Sequence, residues 1–163
     1  QFFWFGQKKK YSLHIKLIYW QLFIDAGLVV LIWMVQNIIY PAYHSIDTMI
    51  FKEWHAKYSG QITKIVAPLM LVQIGLAAAL ALFEFGWLTL IHFLLVVATW
   101  AVTFFISVPL HGVLNKVGKD PFTIDKLINS NWARTVLWTL AFALVLLIAV
   151  QQSSNELLTS FLQ

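Results

Sequence analysis

The sequence contains no cysteine, which excludes disulfides, thiolate metal sites and cysteine nucleophiles together. Charge is nearly as scarce. Asp, Glu, Lys and Arg make up 11% of the 163 residues, against the roughly 25% usual in soluble domains. Only seven glycines are present, too few for a phosphate-cradling loop. What the chain has in quantity is apolar: 60% hydrophobic and 16% aromatic residues. A water-soluble fold of this size lacks the polar side chains to cover so much apolar surface. The reading is a single integral membrane domain over residues 1–163, all-α, a transmembrane up-down four-helix bundle.

Four segments have the ~20 apolar residues that a membrane helix needs: Leu17 to Tyr40, Ile62 to Leu82, Trp87 to Val108, and Trp132 to Val150. The first and third are expected to stop at Pro41 and Pro109. The second is expected to begin early, near Phe51 or Trp54, as a helix projecting out of the bilayer. The link 83–86 is so short that the second and third spans must form an antiparallel hairpin. The two long links then emerge together on the opposite face. Small residues in the second span (Gly75, Ala77, Ala78, Ala79 and Ala81) predict close helix approach. Trp20, Trp33, Trp87, Trp132 and Trp138 read as a headgroup belt.

The net charge is +4, but the basic residues flank apolar runs, where the positive-inside rule puts them, so nucleic acid is not an expected partner. Lys52, Lys57, Lys64, Lys116, Lys119, Lys126 and Arg134 outnumber Lys8, Lys9, Lys10 and Lys16. That count favours the long links on the cytoplasmic side, while the compact Lys8–Lys10 cluster beside the first span argues the other way; the expected location is a bacterial inner membrane. Lys8 to Lys10 before an apolar run mimic a secretory signal, but the run is too long and lacks a small-x-small cleavage site, so a retained first span is expected. The chain opens on Gln1, and a start upstream of it is expected.

Ionisable residues in or beside membrane helices are functional candidates by default. At the long-link face, an up-down bundle brings His44, His55, His111, Asn131 and Arg134 to one side. Thr99, Thr103, Ser107 and His111, spaced four apart, draw a polar stripe along the third span. Gln36, Asn37 and Tyr40 give the first span a polar end. The three imidazoles, His44, His55 and His111, suit Zn²⁺, Fe or Cu, and two of them suit the axial positions of a haem. Arg134 suits a carboxylate, phosphate or quinone oxygen, and Asn131 is also placed to cap the fourth helix. At the other face Asp25 and His92 fall at comparable depth, as a proton relay or a structural pair, with Glu84 just outside. Gln73 reads as an interhelical hydrogen bond. No nucleophile elbow, Walker A loop or His-Glu-x-x-His motif occurs.

The stretches Pro41-Ala42-Tyr43-His44, Phe51 to Tyr58, Ala98 to Phe105, Val108-Pro109-Leu110-His111 and Asn131-Trp132-Ala133-Arg134-Thr135 carry a resemblance. Over roughly Gly27 to Leu147 the chain resembles uncharacterised bacterial four-span membrane proteins. More distantly it is similar to the anthrone-oxygenase-like membrane family, departing from it at His111 and at Trp132. The resemblance implies a four-helix fold with a site at the long-link face and supplies no substrate. Two functions are expected from the residues. One is a ligand- or cofactor-binding membrane protein, with a metal, haem or quinone-like molecule at that face and redox chemistry on an apolar small molecule. The other is an accessory or assembly subunit of a respiratory or photosynthetic complex, binding pigment or lipid and packed against other membrane subunits or a second copy. Whether the chain is an enzyme stays open at this point.

Overall fold

The computed structural model describes residues 16–83 and 86–154 in full, and the helical backbone alone of residues 2–15 and 155–161. Helix α1 (Phe2–Met34) continues through a π turn (Val35–Ile39), the short α2 (Tyr40–Ala42) and a 3-10 turn (Tyr43–Ser45). After it come α3 (Thr48–Phe83), α4 (Trp87–Val102), a second π turn (Thr103–Ser107), α5 (Val108–Val117) and α6 (Pro121–Phe161). Four continuous rods result, each with a stretch long and apolar enough to cross a membrane. Glu84 and the side chains of Lys8, Lys9 and Lys10 lie outside the described residues.

Pro41 and Pro109 do not end their rods, and the reason is local. Proline lacks an N–H and its ring clashes with the carbonyl four residues back. Each rod widens by one residue just before its proline: the Tyr40 N–H bonds the Val35 carbonyl and the Val108 N–H bonds the Thr103 carbonyl, both five residues back. The proline then falls in the first turn of the next helix, where a missing N–H costs nothing. The fourth rod likewise starts earlier than Trp132. Asp120 caps it through the Thr123 N–H, with Oδ2 at 3.0 Å, and through the Thr123 hydroxyl. These bonds hold the Asp120 carboxyl below its usual pKa range. Asn131 therefore lies inside α6 and does not cap it.

The second long link shrinks to residues 118–120. Gly118 (φ +86) takes the left-handed conformation that closes α5, its N–H bonding the Leu114 carbonyl at 3.0 Å. Lys119 Nζ donates to the His44 and Ile46 carbonyls, each at 2.7 Å, tying the end of the first rod to this link.

The rods pack in sequence as a ring, with α1 and α4 each flanked by α3 and α6. Each rod turns one stripe inward. In the first it is Ile18, Gln21, Asp25, Leu28, Ile32 and Gln36, at the three- and four-residue steps of a helix face. In the fourth it is Ile124, Leu127, Asn131, Thr135, Trp138 and Ala141. Trp138 is fully buried, so it belongs to this core and not to a headgroup belt; Trp20 and Trp87 are 61% and 78% exposed. Among the small residues of α3 only Ala77 reaches the core; Gly75 faces outward, and a side chain there would meet nothing.

Candidate functional site: an arginine-floored cleft and a histidine relay

A cavity of about 400 Å³ opens between α3 and the α4–α5 rod. Tyr58, Val66 and Met70 form one wall, Trp100, Thr103 and Ser107 the other, and Leu31, Val35 and Tyr40 of the first rod close the back. Its lips include Leu71, Phe104 and Val108, each more than half exposed. These lips give the opening an apolar rim between two helices long and apolar enough to cross a membrane. The two π turns shape this space. In a regular α-helix, residues four apart drift about 40° per step, so Thr99, Thr103, Ser107 and His111 would wind off one face. The extra residue of the second π turn takes up most of that drift, and Thr103, Ser107 and His111 all line the cavity.

Arg134 reaches this cavity from α6 and is 7% exposed. One terminal nitrogen donates to Asn131 Oδ1 at 3.2 Å and to Ser107 Oγ at 3.4 Å; Nε has no partner. The guanidinium carbon stands 5.0 Å from the centre of the Trp138 ring, a cation–π seat. Among the described residues the ion pairs are His44–Asp125 and His92–Asp25, and no carboxylate pairs with Arg134. Its support is built in layers. Asn131 Nδ2 donates to Gln36 Oε1 at 2.8 Å, and Gln36 Nε2 donates to the Ile128 carbonyl at 3.2 Å. Gln36 and Ser107 thus act on Arg134 from the two π turns.

Beside Arg134 runs a chain of hydrogen bonds. Tyr40 Oη lies 2.9 Å from His111 Nε2, His111 Nδ1 lies 3.0 Å from His55 Nε2, and His55 Nδ1 lies 2.7 Å from Asn115 Oδ1. The imidazole rings of His55 and His111 stack with centroids 5.2 Å apart. The field of Arg134 reaches both Tyr40 and His111. Tyr43 and Phe51 pack on the His55 ring, and Trp54 and Tyr58 pack on Tyr43 in turn.

Of the expected site residues, His55, His111, Asn131 and Arg134 converge. His44 does not: it bonds Asp125 Oδ1 at 3.0 Å on the surface. The expected imidazole trio is therefore not assembled, because the 3-10 turn at Tyr43–Ser45 directs Tyr43 inward in its place. Among the described residues no three His, Cys, Asp or Glu side chains gather as a metal-binding set. Asn115 is not among the sequence candidates, yet it is the next four-residue step after His111. The assumption that Pro109 ends the helix is what hides it.

At the other end, Asp25 takes three donors: His92 Nε2 at 2.7 Å, Gln21 Nε2 at 2.8 Å and Gln73 Nε2 at 2.7 Å. Trp138 Nε1 donates to Gln73 Oε1 at 3.1 Å, so all four rods meet in one clasp. The Asp25–His92 pair is present; Gln73 bridges helices as expected. Comparison of the chain with protein-family models, curated sequences and solved structures returns no match, so the geometry carries the functional reading.

Proposed function

We propose that this is a membrane protein that admits a bilayer-dissolved, aromatic or quinone-like molecule between α3 and α4 and holds its oxygen against Arg134. The observation that carries this reading is the buried guanidinium, with which no carboxylate among the described residues pairs. A charge within a membrane domain costs several kcal/mol unless it is paired, and the open side of this one faces an apolar cavity. The missing partner is then supplied by the ligand. One positive charge balances one negative charge, which favours a carboxylate, a phenolate or a polarised quinone carbonyl over a phosphate. The size of the cavity falls in the range of small-molecule sites, and Tyr58, Trp100 and Phe104 offer ring faces to an aromatic body.

The test is purification in mild detergent, with an organic extract analysed by mass spectrometry and a visible spectrum. Wild type is expected to carry an acidic or quinone-like apolar molecule near one per chain, or to bind an added short-chain quinone or alkylated 4-nitrophenol. Arg134→Gln is expected to lose it while keeping its helical circular dichroism. Wild type that carries and binds none of these overturns the reading; a stoichiometric protein partner in place of a ligand supports the subunit function.

A further inference from the structure

The hydrogen-bond chain beside Arg134 has a definite direction. Asn115 Oδ1 only accepts, so His55 Nδ1 carries the proton there and its Nε2 is the acceptor. His111 Nδ1 must then donate to His55, leaving His111 Nε2 to accept from the Tyr40 hydroxyl. Every link donates away from the cavity, and both rings are neutral. Ser59 Oγ adds a longer contact to His55 Nε2 at 3.4 Å. The inner end is Tyr40, on the cavity wall; the outer end is Asn115, which is exposed at the long-link face. The titratable or charged groups facing the chain are Tyr43 from the first rod, Tyr58 from α3 and Arg134 from α6. No carboxylate bonds either ring among the described residues.

We propose that Tyr40, His111 and His55 form a reversible proton conduit between the cavity and the long-link face, and that the ligand is a bilayer-soluble phenol or enol held as its anion. This rests on the ligand reading given above. The ligand's O–H bond breaks and its proton passes to the Tyr40 oxygen. Tyr40 gives its own proton to His111 Nε2, and His111 gives its Nδ1 proton to His55 Nε2. His55, briefly an imidazolium, releases its Nδ1 proton to water at the rim, and the Asn115 amide turns over to donate to the freed nitrogen. The net change is one ligand hydroxyl becoming one oxyanion and one proton leaving; no electron is transferred. Afterwards every link points the other way, and Tyr40 donates to the ligand oxyanion beside Arg134. The chain therefore has two polarities: outward when the cavity is empty, inward when an anion fills it. A carboxylic acid arrives already ionised and has no use for such a path, and this is why a weakly acidic hydroxyl is the ligand class.

The full chain reconstituted in lipid nanodiscs tests this with a 4-nitrophenol bearing an octyl chain, whose phenolate absorbs apart from its phenol. Bound to wild type, the phenolate is expected to appear at least about one pH unit lower than in protein-free nanodiscs, a tenfold preference for the anion. After a rapid pH jump with the probe at saturating concentration, which offsets the weaker binding expected when a cavity-lining polar group is lost, Tyr40→Phe and His111→Phe are expected to form its phenolate at least about tenfold more slowly, a loss no purely structural role predicts. In wild type, mixed H₂O and D₂O should give a curved proton inventory, reporting several protons in flight even where a variant fails to fold. Absence of any phenolate shift in wild type overturns the ligand reading and the conduit with it. A shift in wild type with unchanged rates in both variants, or with a linear proton inventory, overturns the conduit alone.

Discussion

Asp25 shows how single polar residues are tolerated inside this bundle. Three N–H donors from three different rods meet its carboxyl group within 2.8 Å, which meets the requirement that a buried acid be fully hydrogen-bonded. Removing the acceptor strands the donors. Asp25→Ala is expected to lower stability by about 2–4 kcal/mol, between the modest average of hydrogen bonds within membranes and the larger cost of breaking a buried pair. Asp25→Asn separates the two roles that this residue could fill. Its amide oxygen accepts from Gln21 and Gln73 and its NH₂ donates to His92, so a structural clasp survives within about 1 kcal/mol. Denaturant titration in detergent micelles reads both variants. Equal losses for Ala and Asn would instead mean that the amide cannot replace the carboxyl group in the clasp.

At the scale of elements, the two π turns decide what the rods present. Each lies immediately upstream of a proline, Pro41 or Pro109, and each turns one polar side chain, Gln36 or Ser107, toward Arg134 or its support. Deleting Phe105, which is 81% exposed, removes the extra residue, and because that residue adds length without rotation α5 keeps its facing relative to α4. The rod should stay helical by circular dichroism, His111 should stay beside His55, and the cavity should keep its probe. Loss of probe binding in the deletion would show that the wide turn itself, and not only the facing it sets, shapes the cavity.

The same scale explains how much of this fold the sequence shows. Rod number and order follow from hydropathy and the short 83–86 link, because lipid imposes length and apolarity on every span. The inward stripes do not follow so readily, since outward-facing Phe23 and core-facing Leu28 are both apolar. Only the polar residues mark the inner face: Gln21, Asp25 and Gln36 do so in the first rod. Rod ends are the least legible. Pro41 and Pro109 carry a strong stop signal that a one-residue widening cancels, and the four-residue spacing from Thr99 to His111 is the trace that this widening leaves in the sequence. Arg134 is readable by residue type as a candidate for holding an anion; that no carboxylate among the described residues pairs with it needs three dimensions to see.

Across the whole molecule the two polar centres are not separate. The Asp25 clasp reaches Gln73, Gln73 accepts from Trp138, the Trp138 ring seats the Arg134 guanidinium, and Arg134 continues to Asn131 and Gln36. One buried tryptophan thus joins the structural end of the bundle to the cavity end. Trp138→Phe keeps an apolar ring but deletes the indole N–H and presents a smaller face to the cation. Gln73 Oε1 then loses its donor, at a cost of about 1 kcal/mol by the scale of membrane hydrogen bonds, and Arg134 loses about 1 kcal/mol of cation–π attraction. The stability loss should therefore be small, near 1–2 kcal/mol. Probe binding should fall roughly five- to tenfold, because the same guanidinium must now be held in place by Asn131 and Ser107 alone. Combining Trp138→Phe with Arg134→Gln separates the two effects: if tryptophan acts on the ligand through the arginine, the double variant binds no worse than Arg134→Gln, whereas additive losses would mean that the ring touches the ligand itself.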